Sequence, residues 1–156
     1  MITTDKKPNI LMVLCDQLSW RALPCYGNTD VETPNIDRIA SQAVRFSEAY
    51  TPCPLCMPAR TSFWTSRLPH ETGVKSNGGR YPSPLDIPAD MPTLGGVLTG
   101  AGYRAVHFGK THDSGALRGF EIASSGTLSA DSPAAWPASR DTLQDRHTTE
   151  ACIRWL

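Results

Sequence analysis

The sequence predicts an α/β domain, a mostly parallel sheet flanked by helices. Residues 9–15 are a continuous apolar run, the pattern of a strand buried on both faces in a parallel sheet, and residues 103–108 are a second buried-strand candidate. Helix signals stand between and after those runs. Polar residues follow the strands directly, Asp16 after the first and Lys110 and His112 after the second. Open α/β sheets gather their ligands at such carboxyl ends.

Taken in order, Ile10-Leu11-Met12-Val13-Leu14-Cys15 is the core of the first strand. Thr33-Pro34 opens a helix, because proline suits a first-turn position where its missing N–H is needed least. Ile36, Ile39, Ala40 and Ala43 fall on one stripe of that helix. Residues 44–50 predict a short strand, and residues 58–66 a short helix started by Pro58. Proline and glycine crowd residues 78–92, a surface loop. Thr93 caps a helix running to about Ala101, and Gly102 ends it. His107 reads as a packed residue of the second strand. Residues 115–140, rich in Ser, Ala and Gly, read as a loop. Residues 141–156 predict a last helix, with Leu143, His147, Ala151 and Trp155 near one face.

The chain has 156 residues, enough for a core. Lys+Arg and Asp+Glu both number 15, so no net charge points to nucleic acid or to a charged tail. Five cysteines without framework spacing fit a reducing compartment, and the apolar run after residue 9 is too short for a signal core or a membrane span. A cytoplasmic protein without membrane partners is expected.

Cys56-Met57-Pro58-Ala59-Arg60 places a potential nucleophile, a helix starter and a fixed cation within one turn. A helix N-terminus attracts anions through unpaired N–H groups and the macrodipole, and a guanidinium offers planar donors to sulfate or phosphate. Thr61-Ser62-Phe63-Trp64-Thr65-Ser66-Arg67-Leu68-Pro69-His70-Glu71-Thr72-Gly73-Val74 follows. The whole stretch resembles the signature of the formylglycine-dependent sulfatases of the alkaline phosphatase superfamily. Ser66 stands where that family usually has glycine. Cys53 also makes a C-x-x-C pair with Cys56, but no second pair completes a zinc site.

The resemblance implies an alkaline-phosphatase-like fold, and oxidation of Cys56 to formylglycine by a separate generating enzyme. The hydrated aldehyde attacks sulfur, or phosphorus in relatives, with one hydroxyl, and the second expels the inorganic anion. Asn9 to Gln17 resembles the first sulfatase strand, which ends in metal-binding acids. By that match Asp16, Gln17 and Cys56 hold a divalent metal, calcium first, with manganese or magnesium as alternatives. Gly102-Tyr103-Arg104-Ala105-Val106-His107-Phe108-Gly109-Lys110-Thr111-His112 resembles the second signature. It implies that Lys110 bridges formylglycine and the substrate anion and that His112 takes a proton from the nucleophile. Lys110 and His112, two positions apart, are expected on one side of a strand. Asn77 is a substrate-binding candidate, and His70 a turn residue.

The resemblance makes residues 1–156 the N-terminal portion of a sulfatase catalytic domain. Later family motifs are missing, so the isolated chain is expected to have little hydrolytic activity. The implied substrate is a small sulfate, phosphate or phosphonate ester. Three alternatives stand beside the sulfatase reading: a phosphonate or phosphodiester hydrolase of the same superfamily, a non-catalytic fragment, and a low-molecular-weight cysteine phosphatase. The last rests on the Cys15-x₅-Arg21 spacing. Against it, the intervening loop has no glycine, and Asp16 would repel phosphate.

Overall fold

The computed structural model describes residues 7–78, 84, 86–125 and 138–156. Parts of the two expected loops, and the side chain of Leu143, lie outside the described residues. The chain divides into two units, Met1–Ala49 and Tyr50–Leu156.

In the first unit, 3₁₀ turns at Trp20–Ala22 and Pro24–Tyr26 precede helix α1, Pro34–Gln42. Pro34 starts α1 as predicted. Asp37 in its first turn ties the unit together. Its Oδ1 accepts the Cys25 N–H at 3.0 Å, and its Oδ2 accepts the Thr33 hydroxyl at 3.2 Å. The stripe on α1 is not buried, and Ile39 is 62 % exposed.

The strands expected at residues 9–15 and 44–50 are not formed among the described residues. Val13 is 80 % exposed, and Ile10, Leu11, Val44 and Phe46 are exposed with it. The apolar pattern supplies strand propensity, but a ladder also needs a neighbour's N–H and C=O groups. No described residue pairs with either stretch.

The second unit holds α2 (Cys56–Thr65), α3 (Pro69–Thr72), α4 (Leu94–Gly100), β1 (Val106–Gly109), β2 (Glu121–Ser125) and α5 (Ala138–Trp155). β1 and β2 pair in parallel, from Val106 opposite Glu121 to Gly109 opposite Ser125, with a register irregularity between His107 and Phe108. β2 lies inside a stretch expected to be loop. Its sequence, Glu-Ile-Ala-Ser-Ser, carries little strand propensity, and pairing with β1 makes it a strand. Arg104 grips Glu121 beside the first pair, with Nη2 to Oε2 at 2.9 Å.

Thr93 caps α4 as predicted, its Oγ1 accepting the Gly96 N–H at 3.1 Å. The same hydroxyl donates to the Arg118 carbonyl at 2.7 Å, and the Thr99 hydroxyl to the Gly119 carbonyl at 2.9 Å. This stitching presses α4 against the turn before β2. A Cβ on Gly119, at φ +89°, would sit 2.3 Å from the Gly95 carbonyl carbon. The buried core is Trp64, Val74, Ile87, Ala116 and Leu117, flanked by Met57, Met91, Leu94 and Phe120. Arg118 braces one side of it through the carbonyls of Ile87, Pro88 and Met91. α5 packs on β1 through Trp155, whose ring lies 6.1 Å from that of Phe108. Among the described residues no helix is long and apolar enough to cross a membrane.

Candidate functional site

Leu55 is extended, at φ −128° and ψ 145°, and α2 begins at the next residue, Cys56. Pro58 is therefore the third helical residue and not the first. The reasoning for it survives, because N–H groups throughout the first turn lack an intrahelical acceptor. The first helical bond runs from the Ala59 N–H to the Leu55 carbonyl at 2.9 Å. Met57 donates its N–H to Asn77 Oδ1, also at 2.9 Å. The Asn77 side chain thus serves the helix start that Leu55, lacking a polar side chain, cannot cap. Cys56 is a free, half-buried thiol in the same turn.

One turn on, Arg60 Nη1 donates to the Lys110 carbonyl at 3.3 Å. Thr61 donates its hydroxyl to the Asp113 carbonyl at 2.8 Å. Two consecutive residues of α2 thereby clasp the segment 110–113, which carries Lys110 and His112. The two sequence signatures, fifty positions apart, meet here. β1 ends at Gly109, whose φ is +96°, so Lys110 and His112 lie in the loop beyond the strand. Strand alternation does not govern their directions, contrary to the expectation from spacing. Lys110 is half-buried and His112 exposed.

His107 packs as expected, edge-on to Trp64 at 6.0 Å and to Phe120 at 6.3 Å. It also reaches the Lys110 carbonyl, with Nε2 at 3.1 Å, a contact the sequence did not suggest. Burial holds its pKa below the ordinary imidazole value, against the opposing pull of the Lys110 carbonyl and Asp113. Asp113 itself is pushed above the usual carboxylate range by burial, a shift resisted by the backbone N–H of Gly115 and by His107. Neither Asp113 nor Thr61 stood out in the sequence. Their contacts run through the main chain, which leaves no residue-type pattern.

Asp16 and Gln17 form a turn in the first unit, with Gln17 in the left-handed region at φ 58°. Among the described residues no three His, Cys, Asp or Glu side chains gather as a cation site requires. The Cys15-x₅-Arg21 segment builds no phosphate cradle. Arg21 sits in a 3₁₀ turn, gives its N–H to Ser19 Oγ at 3.3 Å, and lays its guanidinium over Trp20 at 5.5 Å. His70 is exposed on α3.

Chemically, the second unit sets a helix N-terminus bearing a thiol beside two cationic residues held by one main-chain knot. That combination suits a tetrahedral oxyanion.

The family model described as Sulfatase matches residues 8–152. The chain is 41 % identical over 152 residues to a Delta 4,5-hexuronate-2-O-sulfatase of Bacteroides thetaiotaomicron, covering 97 % of this chain and 31 % of that protein. It is 38 % identical over 120 residues to a choline-sulfatase of Rhizobium meliloti, covering 76 % of this chain and 22 % of the relative. The solved structure of a 2-O GAG sulfatase superposes with a TM-score of 0.82 at 39 % identity, covering 96 % of this chain and 32 % of that one. The chain spans less than a third of the length of these relatives.

Proposed function

Because this chain belongs to the sulfatase family, we propose that it supplies the nucleophile and anion-holding half of a sulfuric ester hydrolase active site. The observation that carries this reading is the bond from Arg60 to the Lys110 carbonyl at 3.3 Å, which unites the two signatures at the start of α2.

In this reading Cys56 is the residue converted to formylglycine, and its place at the first position of α2 suits that role. The converted residue supplies a hydrated aldehyde, whose hydroxyl displaces the ester oxygen and whose second hydroxyl allows release of inorganic sulfate. The remaining work belongs to the chain's own side chains. Arg60 offers paired donors to two sulfate oxygens. Lys110 adds a compact positive charge to the same anion. His112, exposed at the mouth of the loop, accepts the proton that the attacking hydroxyl gives up. Asn77 steadies the helix start and, through it, position 56.

Asp16 and Gln17 are the residues we assign to a divalent cation, as part of a donor set. The strained turn at Gln17 supports that assignment, since left-handed backbone at a non-glycine residue recurs at functional sites. For the substrate we put a sulfated saccharide first, on the strength of the hexuronate and GAG sulfatases that this chain resembles over nearly its whole length.

The test has two parts, made on the assembled enzyme co-produced with a formylglycine-generating enzyme. Peptide mass analysis should find the thiol of Cys56 replaced by an aldehyde. Turnover of a 2-O-sulfated unsaturated uronide should be abolished by Cys56→Ala. An enzyme that keeps its activity after Cys56→Ala overturns the proposal.

A further inference from the structure

We infer that His107 is a positioning residue for this sulfate site: it anchors the Lys110 main chain and, through the shared carbonyl, fixes the Arg60 guanidinium. The inference rests on the assignment of Arg60 and Lys110 to the anion, and adds a residue that touches neither substrate nor nucleophile.

The Lys110 carbonyl has two lone pairs, and two side chains use it: His107 through Nε2 at 3.1 Å and Arg60 through Nη1 at 3.3 Å. A carbonyl only accepts, so His107 must carry its proton on Nε2. The imidazole has little room to turn. It is 9 % exposed and held edge-on by Trp64 of α2, at 89° between planes, and by Phe120, at 72°. Two charged groups face it, Arg60 from α2 and Asp113 from the following loop. Burial and the Arg60 charge disfavour a second proton, which keeps the ring a one-sided donor.

An apolar residue would fill the space between Trp64 and Phe120 without needing a polar partner. A histidine there buries a polar group that is tolerated only with a partner, and its stronger backbone partner is the carbonyl of a proposed catalytic residue, Lys110, with Gly109 the weaker one. Gly109, at φ +96°, turns the chain sharply between the two, so the β1 ladder does not carry on to Lys110. The His107 bond supplies a constraint there. Arg60, reaching the same oxygen, is placed relative to Lys110 by it.

The experiment measures inorganic sulfate affinity for the wild-type chain and for His107→Leu, His107→Gln and Arg60→Ala, together with ¹⁵N spectra of the imidazole around neutral pH. His107→Leu is expected to weaken sulfate binding by roughly tenfold, the scale of losing about one hydrogen bond to a charged group. His107→Gln, whose amide nitrogen can reach the same carbonyl, should retain most of the affinity. The spectrum should show the Nε2–H tautomer. An Nδ1–H tautomer overturns the inference. So does wild-type affinity in a folded His107→Leu, or a tenfold loss in a folded His107→Gln. If Arg60→Ala leaves sulfate affinity unchanged, the anion-site assignment falls and this inference with it. If Arg60→Ala loses affinity while His107→Leu does not, only the role of His107 falls.

Discussion

Ser66 closes α2 in the left-handed region, at φ 55° and ψ 32°, where a side chain crowds the following carbonyl. Its sequence peculiarity, a serine where the resembled family usually has glycine, thus has a physical counterpart. Ser66→Gly relieves that crowding and loses some unfolded-state restriction. The balance predicts a gain of about 0.5 kcal/mol, measurable by urea denaturation. At this scale the sequence was most informative where residue type and chemistry coincide. The two motifs singled out Cys56, Arg60 and Lys110, and the structure brings Arg60 onto the Lys110 carbonyl. The second role of His107 was not legible, because its acceptor is a main-chain oxygen that every residue possesses.

At the scale of elements, α2 buries polar residues beside its apolar ones. Thr61, Ser62 and Thr65 are buried along with Trp64, and Thr61 bonds across to the Asp113 carbonyl. A hydrophobic stripe could not have located this helix; Pro58 and the signature did. The start of α2 depends on Asn77, so Asn77→Ala should cost about 1 kcal/mol of stability, the usual loss of a helix N-terminal acceptor. Denaturant midpoints of the two proteins would show it. The approach of α4 to the turn before β2 depends on the absence of a side chain at Gly119. Gly119→Ala introduces both a clash and a disfavoured φ, and should destabilise by about 2 kcal/mol or more, seen as a lowered thermal midpoint. The sheet was legible only in half. The apolar run at 103–108 became β1, while polar β2 owes its existence to its partner. The run at 9–15 shows the converse, strong pattern without a ladder.

For the whole molecule, the buried titratable groups His107 and Asp113 shape how stability changes with pH. His107 gives the clearest pH dependence. Its folded pKa lies below the ordinary value of about 6.5, so near that pH the unfolded chain binds more protons than the folded one. Stability is therefore full above about pH 6.5 and falls as pH drops from there through the folded pKa. Urea unfolding at successive pH values should show this decline in the wild type and a shallower one in His107→Gln. Asp113 acts with opposite sign at lower pH. Its raised pKa means that the folded state holds its proton longer, which favours folding as the acid range is entered. The separation into two units was not legible, because local pattern does not record which segments share contacts. That separation also puts Asp16 and Gln17 in a different unit from Cys56.

The knot on the Lys110 carbonyl has one more consequence, for how such a site changes over generations. The atom that holds the loop belongs to the backbone, so replacing lysine by another amino acid leaves the fastening intact. Chemistry at this position and the shape that surrounds it can drift independently. A lineage that discarded the ammonium would inherit a ready-made frame in which to try something else.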